Sequence, residues 1–472
     1  MWKIQWQDKK ELSLARQIFL SLRERILAGQ LAAGERIPST RELAGSLGVS
    51  RNTVCEAYDM LLAEGFTVSR QGAPTRIARD VCLDYKPDGV ATAPVKPEAG
   101  TPVWDFATGR PDITLFPWKL WNKMLGEAAG QLPPGQWGYT SPQGYELLCG
   151  EIACWLLRSR GMLVKPADIF ITAGATQAFY LLVGLLHKTG APFVLENPSH
   201  PAMYTVITDR GYPVQWLEVD EQGAIVETLT ESAVSAVYVT PSHQFPLGGI
   251  LPAGRRAALI RLARDNDFYI IEDDYDGEFR YAGPAISPLY SLGASHVIYV
   301  GTFSKTLFPA LRLGFVILPK PLQEKWRHYR KYMDVQNPVL EQAALTAFLR
   351  TRAMDKHIRR MRRSYGEKRS CFLQAVQEHF ADSVCPWGDA SGLHVALQFP
   401  GAEFGERFVE ESRAAGLGIR PVNRLYPSLH EQHRDKLLLG YGHLNAGQIQ
   451  EGMSALRRLM ERGDYGYVTR GS

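Results

Sequence analysis

At 472 residues the chain is too long for one ordinary hydrophobic core and predicts two to four folding units. With 45% hydrophobic and 22% charged residues it is neither a disordered nor a fibrous sequence, no apolar run reaches the length of a membrane span, and six cysteines scattered without a C-x-x-C pair argue against a disulfide framework or a zinc site. Of the net charge of +4, all sits in residues 1–79, which hold 12 Lys+Arg against 8 Asp+Glu; a small basic unit joined to a large neutral one is what a DNA-binding head on a ligand-binding body would show.

Residues Met1 to Asp8 lack the basic start and apolar core of a signal peptide, so the expectation is a cytoplasmic protein with no membrane partner. Leu14, Ile18, Leu22, Ile26 and Leu27 recur at helical spacing and predict an amphipathic helix ended by Gly29. Ser39 or Thr40 caps a second helix through Leu47, with Glu42 placed for a capping box. After the turn Gly48-Val49, Ser50 caps a third helix to about Glu64, burying Val54, Ala57, Tyr58, Leu61 and Leu62. Phe66–Val68 and Arg76–Ala78, joined through Gly72 and Pro74, suit a hairpin. Residues 1–80 therefore predict a winged helix-turn-helix.

The third helix of such a unit presents its first residues to base edges, here Ser50, Arg51, Asn52 and Thr53. Arg51 can take two acceptors of a guanine and Asn52 can read an adenine, while hydroxyls and the wing backbone near Gly72 suit phosphates. Alone, an S-R-N-T string is an ordinary solvated cap; the three-helix pattern around it favours DNA. Through Gly34 to Ala44 (GERIPSTRELA) and Val49 to Val54 (VSRNTV), residues 12–79 resemble the GntR family of bacterial regulators. The resemblance implies that Arg41, Ser50, Arg51, Thr53 and Gly72 contact operator DNA. Cys55 stands where several GntR regulators carry a further arginine.

Residues 81–102 hold Pro87, Pro94, Pro97 and Pro102 without an apolar period and read as an extended linker. Residues 103–472 alternate predicted helices, such as Tyr145–Arg160, with short apolar strands at 169–171, 192–195, 236–239, 269–271 and 297–300. This is an α/β pattern with a mostly parallel sheet. From about residue 345 helices dominate, and 393–399 with 436–441 predict a small second sheet in an α+β subdomain.

Strand 269–271 runs into Glu272-Asp273-Asp274-Tyr275-Asp276, which could be a solvated strand end, a metal site or part of a cofactor site. The next strand leads into Gly301 through Gly314, where Thr302, Ser304, Lys305 and Arg312 converge. That set suits pyridoxal phosphate (PLP): Lys305 for a Schiff base, Arg312, Thr302 and the helix-start amides of 173–177 for phosphate, and Asp273 to keep the ring nitrogen protonated. No metal is expected.

The segments FATGRPD (106–112), YTSPQG (139–144) and PSHQFP (241–246) carry the pattern further, so that residues 104–450 look like fold-type I aminotransferases and, with the head, resemble the MocR/GabR subfamily. The resemblance implies Lys305 as the cofactor lysine, Asp273 on the pyridine nitrogen, Tyr275 on the phenolic oxygen, and Thr302, Arg312, Gly174, Ala175 and Thr176 around phosphate. It also implies a homodimer in which Tyr139 reaches the phosphate of the partner subunit. Three positions depart from the pattern. His200 replaces the stacking aromatic, Phe245 replaces an asparagine on the cofactor oxygen, and Leu438 replaces the arginine that takes a substrate carboxylate, with Arg420 or Arg424 as nearby substitutes. The basic run 357–363 reads as a solvated helix face or a second DNA contact. The leading expectation is a DNA-binding regulator that senses PLP or an amine through Lys305 and is not primarily an enzyme. The alternatives are a working aminotransferase with an accessory head, and a head that binds protein.

Overall fold

The computed structural model describes Ile4, residues 12–70, 73–79, Val81, 102–229, 233–281, Gly283, 286–388, 391–429 and 431–466. The chain divides into two compact units, Met1–Glu98 and Ala99–Ser472. Most of the expected linker, residues 82–101, lies outside the described residues.

The first unit holds helices α1 (Leu14–Leu27), α2 (Thr40–Leu47) and α3 (Arg51–Ala63) and a two-stranded hairpin, β1 (Thr67–Val68) and β2 (Arg76–Ile77). Each helix begins where a side chain satisfies an open backbone donor. Ser13 accepts from Arg16, Ser39 and Glu42 complete a capping box, and Ser50 accepts from Thr53. Gly48 ends α2 at φ 68, a left-handed turn that glycine adopts without a Cβ clash. The core joins Ile18, Phe19, Leu22 and Ile26 of α1 to Leu43, Val54, Ala57, Leu61 and Ile77. Leu14 and Leu62, both expected inside, are 47% and 46% exposed. In α1 the buried stripe runs through 18, 19, 22 and 26, which takes in Phe19 and turns Leu14 outward.

In the second unit an eight-stranded sheet is built from β3 (Ile169–Thr172), β4 (Phe193–Asn197), β5 (Val214–Asp220), β6 (Gly223–Ala224), β7 (Ala236–Val239), β8 (Tyr269–Asp274), β9 (Val297–Thr302) and β10 (Gly314–Ile317), in the order β3-β10-β9-β8-β7-β4-β5-β6. Neighbouring pairs from β9 through β5 are parallel, whereas β10 runs antiparallel to both β9 and β3, and β6 is antiparallel to β5. Both faces of the sheet are covered. Ile169 and Ile171 pack into one cluster and Phe170 into the other, which is why these strands are apolar throughout and do not alternate.

A second, antiparallel sheet has β11 (Cys385–Trp387), β12 (His394–Gln398), β13 (Arg420–Pro421) and β14 (Lys436–Gly440) in the order β11-β12-β14-β13. The expected pairing is present, with Ala396 opposite Leu438. Trp104–Asp105 pairs with Leu417–Gly418 and Phe106 enters the second subdomain's core, so this subdomain also takes residues from far earlier in the chain than 345.

Candidate functional site

The acidic run ends β8 and the lysine loop follows β9, its parallel neighbour, with Val300 beside Asp273 and Gly301 beside Asp274. Both therefore leave the sheet at one carboxyl edge, where open α/β sheets hold ligands. The run is neither solvated nor arranged as one ligand cluster, because each acid has a separate task. Glu272 accepts the backbone N–H groups of Leu289 and Tyr290 at 2.7 and 2.8 Å. Asp274 pairs with buried Arg160 and accepts from Tyr299 at 2.7 Å. Asp276 holds His243 at 3.0 Å. Asp273 remains, 4% exposed, with one oxygen accepting from Tyr238 at 2.7 Å and Oδ1 buried without a partner. Burial pushes its pKa up to about 7 against the Tyr238 bond.

Lys305 Nζ donates to the Gly109 carbonyl at 2.6 Å. Burial lowers its pKa while Asp276 and Asp273 oppose the shift. Gly109 has φ 72, and a side chain there would take the space of Nζ. Sequence reasoning used Gly109 only as part of a motif, although glycine inside T-G-R-P was the available signal.

The residues expected around phosphate also lie on neighbouring segments. Thr302, Gly314 and Thr172 stand in line across β9, β10 and β3. Next to Thr172, Gly174 at φ 82 caps helix α4 (Ala175–Leu186), whose first turn carries Ala175 and Thr176 with open amides. Arg312, itself left-handed at φ 50, donates from Nη2 to the Ala173 carbonyl at 2.6 Å. Thr302 Oγ1 donates to Ser304 Oγ at 3.1 Å.

His200 Nδ1 accepts from Ala202 N at 3.3 Å, and its ring lies 5.1 Å from Phe245. Burial pulls its pKa down to about 4, so the ring is neutral. Tyr275 Oη lies 3.0 Å from His243 Nδ1. Tyr139 is 90% exposed on this chain. Leu438 is 1% exposed and packs with Phe245, Val422 and Tyr426. Arg424 is ion-paired with Glu406 at 3.2 Å, whereas Arg420 is exposed and lines, with Thr108, Arg110 and Leu438, a cavity of about 430 Å³. In the basic run His357 is buried and Arg362 donates to the Glu278 carbonyl, leaving Arg359, Arg360 and Arg363 outward. His243, His394, Tyr238 and Asp276 surround the site without having been singled out; only the P-S-H-Q string and the acidic run marked two of them.

In the first unit Arg41, Ser50, Arg51 and Asn52 are exposed together at the starts of α2 and α3, and Arg51 Nε donates to Thr40 Oγ1 at 3.3 Å. Ser50 is occupied as a cap, its hydroxyl 2.8 Å from that of Thr53. Glu56 and Asp59 are exposed one to two turns further along α3, so the exposed basic side chain of this helix, Arg51, stands at its beginning. Gly72 lies outside the described residues.

Residues 14–77 match the model of the gntR family of bacterial regulatory proteins, and residues 132–413 match the aminotransferase class I and II model. A protein of Rhizobium meliloti named "Probable rhizopine catabolism regulatory protein MocR" is 31% identical, over 95% of this chain and 94% of that one. The HTH-type pyridoxine biosynthesis transcriptional regulator PdxR of Corynebacterium glutamicum is 33% identical, over 82% and 83%. Among solved structures, an archaeal alanine:glyoxylate aminotransferase aligns at TM-score 0.71 and 26% identity over 77% of this chain and 92% of that one. Kynurenine aminotransferase of Pyrococcus horikoshii aligns at TM-score 0.70 and 25% identity over 77% and 91%.

Proposed function

The chain belongs to the MocR/GabR subfamily of GntR regulators, and on that premise we propose that it is a cytoplasmic, homodimeric DNA-binding regulator that holds PLP on Lys305 and senses PLP itself or an amine. The observation that carries the cofactor reading is the unpartnered Asp273 Oδ1, buried beside Lys305. An orphaned buried acceptor of this kind is costly unless a ligand donor completes it. A ring N–H is such a donor.

Bound there, PLP supplies an aldehyde for an amine and a ring that withdraws electrons. The chain supplies the rest. Asp273 would hold the ring proton, the Tyr275 hydroxyl would donate a hydrogen bond to the phenolic oxygen, and neutral His200 would cover the ring face. Thr302, Arg312 and the amides of Gly174, Ala175 and Thr176 would bind phosphate, with Tyr139 of each subunit offered to its partner. Burial lowers the Lys305 pKa, a shift in the direction that favours the neutral amine an aldehyde reacts with. In the head, Arg41, Ser50, Arg51, Asn52 and Thr53, with the wing at Gly72, face operator DNA.

The second reading, a working aminotransferase, is favoured by the lysine, aspartate and tyrosine set shared with that fold. Leu438 stands against it. An apolar side chain packed among Phe245 and Tyr426 offers no cation to a substrate carboxylate. The test is salt-titrated binding of the full chain to the DNA flanking its own gene, with and without PLP. Binding that prefers one segment and changes with PLP or an amine supports the regulator; binding indifferent to both sequence and ligand overturns it.

A further inference from the structure

We propose that His243 and Asp276 form a positioning pair that directs the phenol proton of Tyr275 toward the bound cofactor, an inference that rests on the reading that PLP occupies the Lys305 site with Tyr275 at its phenolic oxygen. His243 and Asp276 are each 2% exposed. His243 Nδ1 lies 3.0 and 3.2 Å from the two Asp276 oxygens and 3.0 Å from Tyr275 Oη. One ring nitrogen either carries a hydrogen and donates or lacks it and accepts. A buried carboxylate only accepts, so Asp276 requires the hydrogen on Nδ1. Nδ1 then cannot take the phenol proton.

The reverse assignment would let Nδ1 accept from Tyr275 but leave the buried Asp276 carboxylate without a side-chain donor among the described residues, the more costly arrangement. Among the described residues Tyr275 has no other hydrogen-bond partner, so its proton is free for a ligand. Burial alone would pull the His243 pKa down; Asp276, with the Gly388 carbonyl, outweighs it and holds it above the ordinary value. The other ionisable groups around the pair are compatible with this direction. His394 from β12 has its ring 5.1 Å from that of His243 and is kept neutral by burial. Asp273 is engaged by Tyr238, Asp274 by Arg160 and Tyr299, and Lys305 by Gly109. Gly392, at φ 82, is the position that leaves room: a Cβ there would strike both the His243 ring and the Asp276 carboxylate.

A donor on the phenolic oxygen stabilises its anion, so the visible chromophore of the loaded protein should lose its proton at lower pH when Tyr275 points inward. In Asp276→Asn no carboxylate holds the hydrogen on Nδ1; with that hydrogen on Nε2, Nδ1 becomes an acceptor that draws the Tyr275 proton away. Spectrophotometric pH titration of loaded wild type, Asp276→Asn, Tyr275→Phe and the double variant tests this. The expected result is an upward shift of about one to two pH units in Asp276→Asn, the worth of one hydrogen bond to a charged oxygen. No further rise is expected when Asp276→Asn is added to Tyr275→Phe. Loss of the carboxylate charge by itself acts the other way, since it destabilises a nearby protonated nitrogen, so a downward or absent shift overturns the proposal. Nitrogen NMR of the histidine-labelled, cofactor-free wild type reads the ring directly and needs no variant to fold: a protonated His243 Nδ1 supports the pair and an unprotonated one overturns it. If the loaded wild type shows no visible chromophore, or Lys305→Ala keeps it, the cofactor reading fails while the nitrogen spectrum still decides the pair.

Discussion

Arg312 closes against Gly174: its Nη2 lies 3.0 Å from where a Cβ of residue 174 would stand, so the guanidinium fills volume that only glycine leaves open. Gly174 is also held at φ 82 and ψ 177, a conformation essentially confined to glycine. Gly174→Ala should therefore cost about 1–3 kcal/mol of stability and displace the phosphate fork. Equilibrium dialysis of PLP against the variant should show at least tenfold weaker binding. Unchanged affinity would place the phosphate elsewhere.

Lys305→Ala should abolish the borohydride-reducible yellow chromophore of the purified protein and leave it folded and dimeric. Among the described residues the lysine bonds to one carbonyl, that of Gly109, so its loss removes little packing. A chromophore that survives the substitution would assign the cofactor to another lysine.

In the head, Arg51→Ala should lose about 1–3 kcal/mol on the preferred site and relax preference at one base position. The motive is its exposure at the start of α3, beside Arg41 and Asn52. Binding to specific and random duplexes across salt concentrations measures this. An unchanged specificity ratio would reduce Arg51 to a phosphate contact.

Turnover of common amino and keto acid pairs should be far below about 1 per second, the low end of typical enzymes. Leu438 pairs across the small sheet with Arg420 and is buried among apolar groups, and Arg424 is committed to Glu406. A steady-state assay over a panel of amino donors with 2-oxoglutarate and pyruvate checks this. Faster turnover would mean that Arg420 restores a carboxylate site.

Burial pulls the His200 pKa down to about 4, so folding requires a neutral ring. The unfolded chain binds that proton near pH 6.5, so the stability tied to this group is present above about pH 6.5 and is lost as pH falls toward 4. His200→Phe should consequently lose less stability than wild type between pH 7 and 5, by about 1–2 kcal/mol for a half-buried ring. Urea unfolding of the cofactor-free proteins at the two pH values tests the sign. An equal or larger loss in the variant would show that the ring is accessible to protons.

What the sequence determined by itself was local or carried by runs of neighbours. Caps at Ser39 and Ser50 act within three residues, and doubly buried strands announce themselves as apolar runs; Lys305 and Arg312 lie in one segment after one strand, so singling them out needed no long-range pairing. The tertiary structure decided everything that depends on distant segments meeting. The four acids between Glu272 and Asp276 look alike as a string, and only their partners at Leu289, Tyr238, Arg160 and His243 sort them into a helix-end anchor, an open acceptor, a buried ion pair and a histidine clamp. The fate of Leu438 depended likewise on a register, opposite Arg420 and Ala396, that no local pattern specifies. A strand's alternation fixes which face a side chain takes, but burial, desolvation and partner choice are set by whichever remote segment packs against that face.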